Sequence, residues 1–108
     1  LADKKTILDF IRHFKDAEFT FLNGCCYWFC YILTARFGGI TLYEPVEGHF
    51  IQKIGDAFYD VRGEVTDKYI NNEKLLCWES YESVDSLHYS HIVRDCIMKE
   101  RYKDDELN

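Results

Sequence analysis

Asn23-Gly24-Cys25-Cys26-Tyr27-Trp28-Phe29-Cys30-Tyr31-Ile32-Leu33-Thr34-Ala35-Arg36-Phe37-Gly38-Gly39 reads as a turn, a nearly all-apolar helix and a two-glycine stop. Only Thr34 and Arg36 are clearly polar inside it, and a helix apolar all round is normally a buried one. The stretch therefore predicts a central helix wrapped by the remaining elements. Asn23-Gly24 carries the turn, and Gly38-Gly39 offers the left-handed residue that commonly closes a helix. Cys25 and Cys26 fall at the helix start, where the first N–H groups lack intrahelical partners and the positive end of the dipole favours a thiolate. The competing reading of either cysteine is a small hydrophobe packed in the core. Company elsewhere in the chain has to decide between them.

That company lies in Glu47-Gly48-His49-Phe50-Ile51-Gln52-Lys53-Ile54-Gly55-Asp56-Ala57-Phe58-Tyr59-Asp60-Val61-Arg62-Gly63, which reads as a β-hairpin with Gly55-Asp56 as its two-residue loop. In that register Ile54 faces Ala57, Gln52 faces Tyr59, Ile51 faces Asp60 and His49 faces Arg62. Alternation then puts His49, Ile51, Phe58, Asp60 and Arg62 on one face, and Phe50, Gln52, Ile54, Tyr59 and Val61 on the other. His49 and Asp60 become diagonal neighbours within side-chain reach.

A chain of 108 residues, 47% hydrophobic and 17% aromatic, is expected to form a single α+β domain over residues 1–108 with a bulky core. The formal charge of −6, with no basic block longer than a pair, argues against nucleic acid as a ligand. No run of apolar residues is long enough to span a membrane, and the first residues lack the shape of a signal peptide. Five cysteines, at 25, 26, 30, 77 and 96, are an odd number with one adjacent pair, so they are expected as reduced thiols in a cytoplasmic setting. Zinc-type C-x-x-C pairing is missing, so neither a metal nor another cofactor is expected. The oligomeric state is left open.

The remaining elements are plainer. Thr6 is a candidate N-cap for a helix running through Phe14, with Ile7, Phe10, Ile11 and Phe14 on its core face and His13 in solvent. Lys15 to Leu22 reads as a connection that tucks Phe19, Phe21 and Leu22 down before the central helix. Ile40 to Tyr43 reads as a strand stopped by Glu44-Pro45. Thr66-Asp67 caps a short helix through Ile70, Asn71-Asn72 breaks it, and Glu73 to Trp78 reads equally as helix or strand. A helix capped by Asp85 or Ser86 follows, running to Met98, and the charged tail from Lys99 to Asn108 is expected to fray. Cys30, one turn beyond Cys26, together with Cys77, Cys96, Trp28 and Trp78, reads as core.

The three residue types Cys, His and Asp are those that nucleophilic acyl transfer needs. A thiolate attacks a carbonyl, an imidazole accepts and returns a proton, and a carboxylate sets the tautomer and orientation of the ring. At this point the chain resembles compact versions of the papain-like cysteine peptidases. Gly24-Cys25-Cys26-Tyr27 is similar to the Gly-[Ser/Ala]-Cys-[Trp/Tyr] segment around the papain-family nucleophile, with Phe29 where that family also has phenylalanine. Papain-type enzymes place their histidine far downstream, whereas the spacing of His49 after Cys26 is closer to cell-wall endopeptidases and transglutaminase-like proteins, and Thr20 stands where papain-type enzymes have a glutamine. The Gly-His-Phe…Tyr-Asp-Val-Arg-Gly stretch is also similar to small bacterial and phage proteins of this fold.

The resemblance implies a central helix packed on a small antiparallel sheet with flanking helices. It also implies Cys26 as nucleophile, His49 as base, Asp60 as orienting partner, and Asn23 or the backbone N–H of Cys26 as oxyanion donors. The expected activity is that of a thiol hydrolase or transferase on an amide, isopeptide or thioester bond of a peptide or protein substrate. The alternative is a catalytically silent binding protein on the same scaffold, such as a phage-encoded inhibitor of a host protein.

Overall fold

The computed structural model describes residues 2–98 and is an α+β arrangement, as the sequence reading expects. The expected tail, Lys99 to Asn108, lies outside the described residues. Helix α1 spans Lys4–Arg12 and is followed by one 3₁₀ turn at Lys15–Ala17 and by α2, Glu18–Leu22. Then come α3 (Cys26–Phe37), β1 (Ile40–Glu44), β2 (His49–Ile54), β3 (Ala57–Asp60), β4 (Gly63–Glu64), α4 (Thr66–Tyr69), β5 (Leu76–Cys77), α5 (Trp78–Val84) and α6 (Ser86–Ile92), with a last wide turn at Val93–Ile97. The strands form one antiparallel sheet in the order β4-β3-β2-β1-β5.

Near the loop the hairpin register is the expected one, with Gln52 opposing Tyr59 and Ile54 opposing Ala57. The ladder stops there: Asp60 pairs with Gly63 of β4 across a tight turn, so the expected pairs Ile51–Asp60 and His49–Arg62 do not form and Arg62 sits in that turn. Gly55 takes φ 63°, the left-handed conformation such a loop requires. The preceding pair is a second hairpin, in which β1 opposes β2 from Ile40↔Lys53 to Glu44↔His49. Strand β2 therefore runs through the middle of the sheet, and its first residue is the histidine.

Helix α3 lies over β2 but is not wrapped all round. Cys26, Phe29, Cys30 and Leu33 are buried, the i, i+3, i+4, i+7 set of a single face. Trp28 and Tyr31 on the outer face are 43% and 59% exposed. The apolar composition misled here because aromatic rings tolerate a half-wet surface, so composition alone does not separate a buried helix from a one-sided one. Trp28 instead places its indole N–H on the Ile97 carbonyl at 3.4 Å.

Three apolar clusters hold the sheet. Ile7 and Ile11 of α1 meet Phe29, Leu33, Ile54, Tyr59 and Val61. Cys26 and Cys30 meet Tyr43, Phe50, Trp78, Tyr81 and Ile92. Ile51, Phe58 and Tyr69 form a smaller cluster on the opposite face. Each fully buried Phe, Leu or Ile contributes about 1.5–3 kcal/mol, so these clusters carry most of the favourable folding term.

Several local expectations are corrected. The first helix begins earlier, because Asp3 is its N-cap and accepts from the Thr6 N–H at 2.8 Å, a role that a carboxylate next to a helix start fills readily. Phe19 does not tuck down but is 79% exposed, since the segment coils into α2 and turns it outward. Val65, not Thr66, precedes α4, and the Thr66 hydroxyl is drawn to the Phe58 N–H at 3.0 Å. Cys77 is exposed on the short edge strand β5, whereas Cys96 is half-buried against the second cluster. Asp85 caps α6 through the His88 N–H, one of the two residues expected there.

The crossing of α3 over β2 is set by a polar clamp in an otherwise apolar layer. Gln52 is fully buried; its amide nitrogen donates to Thr34 Oγ1 and to the Gly38 carbonyl, both at 2.9 Å, and its Oε1 accepts from Thr41 Oγ1 at 2.7 Å. Beside it Gly39, at φ 94°, lies so close to the Lys53 carbonyl that no Cβ fits. Replacing Gln52 with Ala removes every bond of the clamp and empties the buried space its amide fills, while its half-buried partners Gly38 and Thr41 lose these bonds. The expected loss in urea unfolding is about 2–3 kcal/mol with an unchanged m-value.

Candidate active site

The site is assembled where the start of α3 meets the start of β2. Helix and strand run in the same direction: Cys26 meets His49 at one end, and Thr34 and Gly38 meet Gln52 at the other. Three residues of strand advance about 10 Å and eight of helix about 12 Å, so the two contacts are compatible with unstrained elements.

His49 is the hub. Its Nε2 lies 2.9 Å from Asp60 Oδ2, and the Cys26 thiol lies beside the same ring, close enough for each to shift the other's proton affinity. With Nε2 committed to the carboxylate, Nδ1 is the nitrogen left for sulfur. Cys26 and His49 are each 8% exposed and Asp60 2%, so the three groups interact largely out of water.

Each charge is accounted for by its surroundings. Burial pushes the Asp60 carboxyl up, but the hydrogen bonds from His49 and Arg62 outweigh it and hold the group at about 2. Arg62 is bound through its backbone N–H to Oδ1 at 2.8 Å and through Nη2 to Oδ2 at 2.5 Å, with Nε near both oxygens. An ionised Asp60 accepts at Nε2, which fixes the ring tautomer.

Burial alone would lower the basicity of His49, yet its bonds to Asp60 and Cys26 raise it to about 9. The Cys26 thiol is pushed up by burial and drawn down by more: the His49 bond, the backbone N–H groups of Phe50 and Tyr27, and the nearby imidazolium charge. The net directions, thiol down and imidazole up, are those of two groups each of which favours the charged form of the other. Cys30, one turn along α3, is fully buried and moves the other way, its thiol held well above the ordinary value chiefly by burial.

A cleft of about 360 Å³ opens beside His49, lined by Leu22, Asn23, Glu47, Gly48 and Arg62. Asn23 stands in its wall, with its side-chain Nδ2 donating to the Phe19 carbonyl at 2.8 Å. One of its two amide hydrogens is therefore spent on α2. The backbone N–H of Cys26 belongs to the first residue of α3, a position whose donor has no partner within the helix.

Sequence reading missed the supports of this site. Glu44 is a buried acid whose Oε1 accepts from the Val46 and Glu47 N–H groups and whose Oε2 accepts from Asn72 Nδ2, so it shapes the tight loop leading into His49. A lone glutamate before proline gives no warning of that. Arg62 reaches Asp60 from the turn after β3 rather than from a strand face, and a charged residue two positions after an aspartate was the available signal. Tyr69 is hydrogen-bonded to Arg62 and donates to Glu47 Oε1 at 2.8 Å, while Lys68 pairs with Glu47 Oε2 at 2.9 Å.

Residues 4–103 match the model of a protein family described as Phage YunG-like protein. No significant match is found among curated proteins or among solved structures. Among the described residues no helix is long and apolar enough to cross a membrane.

Asp60 titrates at about 2 in the folded chain against an ordinary 3.8, so its contribution to stability is present above the ordinary value and is lost as pH falls through the folded one. Urea midpoints measured between pH 5 and about 2 are expected to fall steeply in the wild type. The slope is expected to be shallower in Asp60→Asn, which has no carboxylate to protonate. Equal slopes would show that Asp60 is not held as an anion.

Proposed function

The chain belongs to the Phage YunG-like protein family, and we propose that it is a thiol hydrolase or transferase on a compact papain-like scaffold, acting on an amide, isopeptide or thioester bond. The observation that carries the reading is the single imidazole shared between a helix-start thiol and a buried carboxylate. The sequence likeness around Gly24-Cys25-Cys26-Tyr27 supports the same assignment.

In this reading the Cys26 thiolate attacks the carbonyl carbon and forms a tetrahedral oxyanion, which the backbone N–H of Cys26 and the remaining amide hydrogen of Asn23 stabilise. The His49 imidazolium then gives its Nδ1 proton to the departing amine or thiol as the bond to carbon breaks. An acyl thioester remains on Cys26, and His49 is neutral. Neutral His49 takes a proton from an incoming water or amine, which attacks the thioester; the acyl product leaves and the thiolate–imidazolium pair returns. Asp60 stays ionised throughout, holding the Nε2 proton and the ring plane.

A catalytically silent binding protein, for instance a phage-encoded inhibitor of a host protein, is the second reading. It draws on the slight exposure of Cys26 and on the exposed Trp28 and Tyr31 of α3. Full retention of biological effect in Cys26→Ala would favour it.

Alkylation by iodoacetamide at pH 7, followed by peptide-resolved mass spectrometry, tests the nucleophile. Cys26 is expected to react about tenfold or more faster than Cys25 or Cys77, because its thiol is drawn toward the thiolate by its surroundings. Cys26→Ala is expected to abolish the fast modification and Cys25→Ala to leave most of it. Equal rates at Cys25 and Cys26, or none at either, would remove Cys26 from the mechanism.

A further inference from the structure

Asp60 does not serve His49 alone. Its Oδ2 is shared between His49 Nε2 at 2.9 Å and Arg62 Nη2 at 2.5 Å, and its Oδ1 takes the backbone N–H and Nε of Arg62. The guanidinium thus meets the carboxylate side-on, by the planar fork that suits carboxylates, and it approaches the same oxygen that orients the imidazole. Arg62 is itself anchored from behind by Tyr69, which leans on Glu47, which is paired with Lys68. Its side chain is one-third exposed and forms part of the wall of the cleft beside His49.

We propose that Arg62 is a positioning residue that competes with His49 for Asp60 and thereby limits how strongly the imidazolium is held. This deepens the acyl-transfer reading and rests on it. A base bound too tightly as its conjugate acid is slow to return its proton, so a second cation on the same carboxylate keeps the ring usable in both directions. The groups that face His49 are the Cys26 thiol from α3, Asp60 from β3, Arg62 from the turn after it and Glu47 from the loop before it, with Tyr69 and Lys68 of α4 beyond. Among these Arg62 is the cation bonded directly to Asp60, and its removal leaves the Arg62 backbone N–H bond available to keep the carboxylate in place.

The test is the His49 titration, followed by NMR through the imidazole Cε1–H signal of the full chain, with thermal unfolding run alongside. In Arg62→Met the His49 midpoint is expected to rise above its wild-type value by about half a unit or more, because the whole carboxylate charge now falls on the imidazolium. Arg62→Lys, which restores a point charge without the fork, is expected to fall between the two, and it carries the test alone if the methionine variant does not fold. An unchanged midpoint with a lowered melting temperature would make Arg62 merely structural and overturn the proposal. A midpoint falling toward that of an ordinary histidine would overturn it too, by showing that Arg62 holds Asp60 in place rather than competing for it. Failure of the acyl-transfer reading is distinguishable, because it appears as ordinary alkylation kinetics at wild-type Cys26 whatever the His49 titration shows.

Discussion

The parallel seating of α3 on β2 is the constraint from which the rest of the structure follows. It is fixed at both ends by directional bonds: Gln52 reaches the last turn of the helix, and the Phe50 N–H and the His49 ring reach the sulfur at its first. Apolar contact alone would let a helix slide along a sheet by a fraction of a turn, since such contact has no preferred direction. Hydrogen bonds in a buried layer allow no such freedom, because a slip would leave each partner unsatisfied.

The same seating brings the Cys26 thiol to the His49 imidazole. A thiol at a helix start beside a strand-borne imidazole is pulled toward its anion by the ring and by the backbone N–H groups of Phe50 and Tyr27, the latter one of the free donors of the helix start. Burial opposes this and, taken alone, would give a neutral thiol and a neutral imidazole. The outcome depends on Asp60, whose charge is maintained in the interior because Arg62 and His49 both bind it. Cys30, a few ångströms along the same helix face, lacks those partners and is left as an ordinary buried thiol.

Around this pair the molecule spends its polar residues on orientation. Glu44 shapes the loop that delivers His49, Tyr69 and Glu47 back up Arg62, and Asn23 ties the entry of α3 to α2. None of these side chains is remarkable in the sequence. Some of these bonds are local, as from Asn23 to Phe19 and from Glu44 to the loop after it, whereas those of Tyr69 and Asn72 join distant parts of the chain and form only when the residues around α4 meet the loop before β2.

What the sequence by itself determined is local and periodic. The glycine-bounded apolar run specified a helix with two cysteines at its start, and the Gly55-Asp56 loop specified a register that puts His49 and Asp60 on one face. Both follow from backbone rules that act over a few residues. Composition could not say that α3 keeps Trp28 and Tyr31 in solvent, because that depends on how many neighbours reach it. Contact between Cys26 and His49 was likewise decided only by tertiary structure. It requires the helix to lie along β2 in one direction at one offset, and that offset is set by Gln52, Thr34 and Gly38, residues whose meeting no short stretch of chain encodes.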